Sequence, residues 1–260
     1  MSVLDPPDDV APRTRQDGVG HLDGSPRFIA RLTRTETDIA AAQALRARCF
    51  GLAPSADVDR FDARCDHLLI EDMRSGGVAG CCRVLSLTGA DLAQSYAAQF
   101  YDLSALRHFD GPMIELGRFC VAPEGRSPDI LRAAWAAITR LVDAGGVTLL
   151  FGCSSFSGID PAPYRAAFAA LAARHRAPDR WAPGIAAAEV VRYCEETHPP
   201  HAPKLAMMQM PPLLRSYLAM GGWVSDHAVV DRAMRTLHVF TGVEIAAIPA
   251  ARKRLLRALA

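Results

Sequence analysis

The chain has 260 residues, half of them apolar, and a formal charge of +1. That length suits one large domain or two small ones, and the near-neutral charge excludes a nucleic-acid binder that works through a global basic field. No apolar run reaches the roughly 18 residues of a membrane span, and seven cysteines, with Cys81 and Cys82 adjacent and no C-x-x-C pair, speak against a disulfide framework or a zinc site.

Residues 1–26 are rich in Asp, Pro, Gly and Arg, lack periodicity and hold no apolar segment of the signal-peptide kind, so they read as a disordered tail. Residues 27–260 then form one domain. Phe28 to Leu32 predicts a short strand. Ile39, Ala42, Leu45 and Cys49 at helical spacing predict a helix from Thr37 to Cys49, with Arg46, Arg48 and Phe50 near its end. The loop from Gly51 to Ala63 carries Asp57, Asp59 and Asp62, either as solvated charge or as a site for a cationic substrate. His67 to Asp72 and Val78 to Leu87 read as two strands of a hairpin turning at Gly76-Gly77, with Arg83 inside the second. Tyr96 to Leu103 is an aromatic short helix or loop.

Met113 to Val121 is an apolar, strand-like run with Glu115 and Arg118 in it. Charges are rarely buried unless paired, so the two serve each other or a ligand, or else decorate an edge strand. Regular alternation would send them to opposite faces. A bulge brings them to one face, and Gly117 between them is where a bulge is cheap. An irregularity is therefore expected at residues 116–118.

Ser127-Pro128-Asp129 opens a helix, by N-cap, first-position proline and first-turn acid. It runs to about Ala144 and stops at Gly145-Gly146. Val147 to Cys153 predicts a buried strand, Ser154 to Gly158 a loop and Pro161 to Arg174 a helix. Residues 176–204 show little pattern beyond a strand near Ala187 to Tyr193. Pro211 to Met220 predicts a helix, Leu237 to Ile245 the last strand, and Pro249 to Ala260 a terminal helix carrying Arg252, Lys253, Arg254 and Arg257. A hairpin early and crossovers later predict an α/β fold with a sheet of mixed direction. Met207, Met208 and Met210 suit either an acyl-chain pocket or ordinary core.

Five stretches carry a family resemblance: Leu45 to Phe50, Cys65 to Leu69, Glu115 to Val121, Leu150 to Phe156, and Pro211 to Leu214 with Gly222-Trp223-Val224. Over roughly residues 30–248 the chain resembles the GNAT-like N-acyltransferases that place the first acyl chain on ornithine in bacterial ornithine-lipid synthesis. These are similar in turn to acyl-homoserine lactone synthases, which share the Glu115/Arg118, Arg46/Phe50 and Asp59/Asp62 patterns. The resemblance implies a GNAT-like mixed central sheet flanked by helices. It also implies an acyl-transfer site at Arg46, Phe50, Asp59, Asp62, Arg83, Glu115 and Arg118.

Within that resemblance Glu115 is either the base that takes a proton from the attacking amine or the partner that holds Arg118. Arg83 and Arg118 orient carboxylates or hold the cleft charges, and Asp59 and Asp62 bind the side-chain ammonium of L-ornithine. No bound cofactor is expected. Acetyltransferases of this superfamily carry an R-x-x-G-x-G/A loop that holds the CoA pyrophosphate. Here the stretch is Arg126-Ser127-Pro128-Asp129-Ile130-Leu131, without the glycines, with a proline that has no N–H and with an acid where phosphate should sit. This favours acyl carrier protein, through its phosphopantetheine thioester, as donor. The basic terminal helix is then a docking face for that acidic protein, an anionic-membrane contact or a solvated face. The expected enzyme is cytoplasmic and peripheral to the inner membrane, since its product is amphiphilic. Readings left open are glutamine or another amino acid as acceptor, a lactone-forming synthase, and a thioesterase using Cys153 or Ser154, although Phe156 breaks the G-x-S-x-G elbow.

Overall fold

The computed structural model describes residues 26–53, 57–125, 127–193 and 203–260. The expected tail at 1–26 lies almost wholly outside them. In chain order the elements are β1 (Phe28–Thr33), α1 (Glu36–Phe50), β2 (Asp66–Asp72), β3 (Gly77–Leu87), β4 (Tyr101–Asp102), β5 (Met113–Val121), α2 (Pro128–Gly145), β6 (Leu149–Ser157), α3 (Arg165–Arg174), β7 (Gly184–Ile185), β8 (Val190–Val191), α4 (Pro203–Gln209), α5 (Pro212–Ala219), β9 (Trp223–Val224), β10 (Ala228–Asp231), β11 (Thr236–Glu244) and α6 (Ala250–Leu259). None of these helices is long and apolar enough to cross a membrane.

The main sheet runs β1-β2-β3-β5-β6-β11-β10-β8, with β9 also paired to β11. Neighbours are antiparallel except β5 and β6, which are parallel. The fold is thus α/β with a mixed sheet flanked by helices, as the sequence predicts. The α1 face buries Ala42 and Leu45 against Leu69, Cys81 and Cys120. Beyond α1, the irregular segment 88–110 covers the same face with Leu92, Tyr101 and Leu106 against Leu85, Met113 and Phe151. The opposite face carries α2 and α5, with Trp135, Ile138 and Tyr217 packed on Leu68, Val84 and Leu150.

Local chemistry sets the ends of the two long helices. Thr35 accepts the Asp38 N–H at the start of α1, and Gly51, at φ 66°, ends it in the left-handed conformation. Ser127 caps α2 by accepting the Asp129 N–H, and Gly146, at φ 56°, ends it.

The expected irregularity in β5 is present. Cys81 of β3 faces Cys120 of β5, while Arg83 faces Gly117, so Arg118 and Phe119 together oppose Cys82. The left-handed residue is Arg118, at φ 52°, and not Gly117. That conformation costs a non-glycine residue roughly 1–2 kcal/mol. The extra residue flips the alternation: Met113 and Glu115 share the α1 face with Arg118 and Cys120, while Leu116 and Phe119 share the other.

Residues 154–157 differ from expectation. They continue β6, because β11 pairs with it along its length, from Leu149↔Glu244 to Ser157↔Thr236. On its other edge β6 pairs with β5 only from Met113↔Leu149 to Leu116↔Gly152, and beyond that point the two strands part. Gly152 sits at the fork. A Cβ there would lie 2.2 Å from the Leu116 carbonyl oxygen, which is backbone and cannot swing aside. Gly152→Ala should therefore destabilise the fold by at least the roughly 1–3 kcal/mol of an overpacked core, and a thermal melt should fall by about 5 °C or more. A melt within about 1 °C of wild type would show that the strands part before Gly152.

Candidate active site

The parted strands open a cavity of about 220 Å³ lined by Gly117, Arg118 and Phe119 of β5 and by Gly152, Cys153 and Ser154 of β6. Because it lies between strands, its walls come from both faces of the sheet. Phe50, Arg83, Tyr96 and Glu115 line it from the α1 face. Pro211, Leu213, Leu214 and Tyr217 line it from α5 and the residue before it. Arg83, Glu115 and Arg118 bring charge to its wall, whereas Pro211, Leu213 and Leu214 bring apolar surface.

Glu115 is 4% exposed. Its carboxylate oxygens accept the Tyr96 and Ala97 backbone N–H groups, each at 2.7 Å. Burial pushes its pKa up to about 7, against the pull of those two N–H donors and of Arg83. A carboxylate oxygen that accepts one N–H keeps a further lone pair, so the group is fixed in orientation and still able to take a proton. Glu115 does not hold Arg118. The Arg118 guanidinium donates to Asp57 Oδ1 at 3.1 Å, stands 3.6 Å from Asp59 Oδ2 and lies 4.9 Å over the Tyr96 ring. Tyr96 thus joins the two halves of the site, by its amide to Glu115 and by its ring to Arg118.

Arg46 lies behind the cavity and is 1% exposed. It donates to Asp57 Oδ2 at 2.6 Å, to the Asp57 carbonyl at 2.5 Å and to both oxygens of Asp62 at 2.8 and 3.1 Å. Arg83 donates through Nε to Asp62 Oδ1 at 2.9 Å and through Nη1 to Asp59 Oδ2 at 3.0 Å. Its Nη2 is 2.7 Å from Asp62 Oδ1 but off the line of a hydrogen bond, an electrostatic contact only. Burial alone would raise the Asp62 pKa, yet Arg46, Gln43 and Arg83 outweigh it and hold the carboxyl below its ordinary range. Three arginines and three aspartates therefore neutralise one another in a buried network.

The residues singled out in the sequence fall into two groups. Phe50, Arg83, Glu115 and Arg118 meet at the cavity, whereas Arg46 and Asp62 are packed behind it. Asp59 and Asp62, expected to bind an ammonium, are already engaged by the protein's own side chains. Asp62 spends both oxygens on Arg46, Arg83 and Gln43, and Asp59 spends one on Arg83 and Arg118. Asp57, the hub joining Arg46 to Arg118, stands in the acidic loop without any spacing signal to set it apart from its neighbours. Tyr96, Asp231 and His238 also border the cavity. They lie on a turn and on strands that sequence patterns do not connect to it.

Cys153 lines the cavity, and burial raises its thiol pKa well above the ordinary value, which disfavours a thiolate there. The Ser154 hydroxyl is bonded to Thr241 at 3.0 Å. Met210 is buried against Phe168 and Leu214, whereas Met207 and Met208 are exposed and stand apart from the cavity. Among the described residues no cluster of His, Cys, Asp and Glu could hold a metal ion. His198 and His201, at metal-like spacing, lie outside the described residues.

Residues 42–136 match the acetyltransferase (GNAT) domain family. The L-ornithine N(alpha)-acyltransferase of Rhizobium meliloti (strain 1021) is 34% identical over 84% of this chain and 80% of its own length. The enzyme of the same description from Brucella abortus (strain 2308) is 33% identical over 81% and 82%. A solved N-acyl amino acid synthase from uncultured soil microbes superposes with a TM-score of 0.46 at 10% identity, over 85% of this chain and 93% of that one. That last likeness is too distant to bear on the chemistry.

Proposed function

This chain belongs to the L-ornithine N(alpha)-acyltransferase family, and from that premise we propose that it moves a 3-hydroxyacyl chain from acyl carrier protein to the α-amine of L-ornithine, giving lyso-ornithine lipid. The α-amine of a free amino acid is more basic than a chain terminus, whose reference pKa is about 8, so it reaches the site largely as ammonium. Glu115 takes a proton from it. The amine nitrogen attacks the thioester carbonyl, the C–S bond breaks as the amide forms, and the phosphopantetheine thiol leaves with a proton. The oxyanion is met by a backbone N–H of the bulged stretch around Arg118. Arg118, aided by Arg83, holds the acceptor carboxylate, while Phe50 lines the cavity. The acyl chain lies along Leu116, Phe119, Leu213 and Leu214. The observation that carries this reading is Glu115: a buried carboxylate on a bulged strand, in the wall of a cavity that Leu116, Phe119, Leu213 and Leu214 also line.

The start of α2 supports a carrier-protein donor. Pro128 offers no N–H, the Asp129 N–H is spent on Ser127, and the Asp129 carboxylate pairs with Arg132 at 2.6 Å. A pyrophosphate would meet an anion there rather than a ring of free amides. Basic residues of α6 would face the acidic carrier. Arg254 is exposed, whereas Arg257 is already shared with Asp143 at 2.8 Å. Peripheral contact with an inner-membrane surface would follow from the amphiphilic product.

The test is a mass-spectrometric product assay with 3-hydroxypalmitoyl-acyl carrier protein or 3-hydroxypalmitoyl-CoA as donor and a panel of free amino acids as acceptors. Acyl-ornithine from the carrier-protein donor, with little from CoA, is the expected outcome. Acyl-glutamine would move the acceptor, equal use of CoA would sink the donor assignment, methylthioadenosine release from S-adenosylmethionine would mean lactone synthesis, and free fatty acid alone would mean hydrolysis.

A further inference from the structure

The charges around the cavity do not all cancel within the protein. Arg83 and Arg118 are matched by Asp57, Asp59 and Asp62. Glu115 is held by two amides. One carboxylate remains. Asp231, the last residue of β10, lines the cavity and is 7% exposed. Its bond is a single backbone N–H, from Met234 to Oδ1 at 2.9 Å. Among the described residues no arginine, lysine or histidine forms an ion pair with it.

His238 on β11, which lines the same cavity and feels Asp231, does not supply the counter-charge. The Tyr101 O–H donates to the His238 carbonyl at 2.8 Å and lies 3.2 Å from its Nδ1, and burial pushes the imidazole pKa down to about 4 despite the pull of Asp231. The ring is neutral at working pH. Cys153 and Tyr96 both feel the Asp231 charge, and Cys153 feels Glu115 as well. The two carboxylates thus bracket the same stretch of cavity wall.

A buried carboxylate with no counter-charge beside it is costly to ionise. It is tolerable when a ligand brings the cation. We infer that Asp231 is the acceptor-specificity residue, binding the side-chain ammonium of a diamino acid while its α-amine faces Glu115. This rests on the acceptor class proposed above and adds the group that selects it.

The test compares L-ornithine with L-norvaline, which has the same carbon skeleton without the side-chain amine, in wild type and Asp231→Asn. Asparagine keeps the oxygen that Met234 bonds and removes the charge. Wild type should favour ornithine by roughly 10- to 100-fold in kcat/KM, the worth of a buried hydrogen bond to a charged group. In the Asn variant that ratio should collapse toward one, through the KM for ornithine. A retained ratio in a variant that melts normally would overturn the role of Asp231 and leave the ornithine reading standing. A wild type that does not discriminate would overturn both. Should Asp231→Asn fail to fold, Asp231→Glu gives the second reading. Its longer side chain should shift preference from ornithine toward 2,4-diaminobutyrate, one methylene shorter, and an unshifted preference would overturn the role.

Discussion

Glu115→Gln is expected to lower kcat by about 10²- to 10⁴-fold, the usual range for loss of a positioned general base, with a much smaller effect on carrier-protein binding. The substitution has two consequences that can be separated. Glutamine cannot take a proton at any working pH. Its NH₂ would also confront one of the Tyr96 and Ala97 N–H groups that now donate to Glu115 at 2.7 Å, leaving a buried donor unsatisfied at roughly 1–3 kcal/mol. A thermal melt reads the second effect and turnover the first. The pH dependence gives an independent check. With the Glu115 pKa raised to about 7 by burial, the ionised base accumulates as pH rises, so wild-type kcat should climb through about pH 7. The stability sign runs the other way. The folded protein binds this proton more tightly than the unfolded chain does, so the contribution of Glu115 is fully present below the ordinary glutamate value of 4.5 and is lost as pH rises toward 7. Activity and stability should therefore move in opposite directions across that window, and the glutamine variant should lose both slopes. Wild-type turnover from Glu115→Gln would remove Glu115 as the base.

The sequence reveals this site where the chemistry is local. Glu115 and Arg118 three residues apart in an apolar strand require an irregularity if both are to be used, and the alternation of β5 does flip between them. The residue that turns is Arg118 rather than Gly117, because the turn is stabilised from outside the strand, by Asp57 and by the Tyr96 ring. Long-range pairing is what residue types cannot announce. Asp57, Asp59 and Asp62 look equivalent in an acidic loop, yet Asp57 joins arginines 11 and 61 residues away. The β6 extension past Cys153 reads as a loop because Ser154, Ser155 and Gly158 are loop formers. Its strand conformation comes from β11, some 80 residues later. Asp231 ends a four-residue strand with no periodicity to flag it, and only the closing of the sheet brings it to the cavity.

Arg46→Ala should have the largest effect on stability, about 3–5 kcal/mol by urea unfolding, because it removes one partner of a buried ion network and leaves the other side uncompensated. The side chain is 1% exposed and makes four hydrogen bonds to Asp57 and Asp62. Without it those carboxylates keep Arg83 and Arg118 as their cations, with Gln43 and the Asp59 N–H as neutral donors. Arg46→Lys should recover part of the loss, since an ammonium keeps the charge but cannot span both carboxylates with a planar fork. The deficit is also expected to depend on pH. Asp62 is held below its ordinary range in the folded state, so its contribution is present above the unfolded value of about 3.9 and is lost as pH falls through the folded one. Protonation relieves the abandoned carboxylates in the variant, so its deficit should be widest at neutral pH and narrow below about pH 4. The consequence reaches the cavity through Asp57, which ties Arg46 to Arg118. A folded Arg46→Lys protein should lose acceptor affinity as the Arg118 guanidinium shifts off Tyr96. A Lys variant with wild-type stability and wild-type KM would mean that the network neither holds the fold nor positions Arg118.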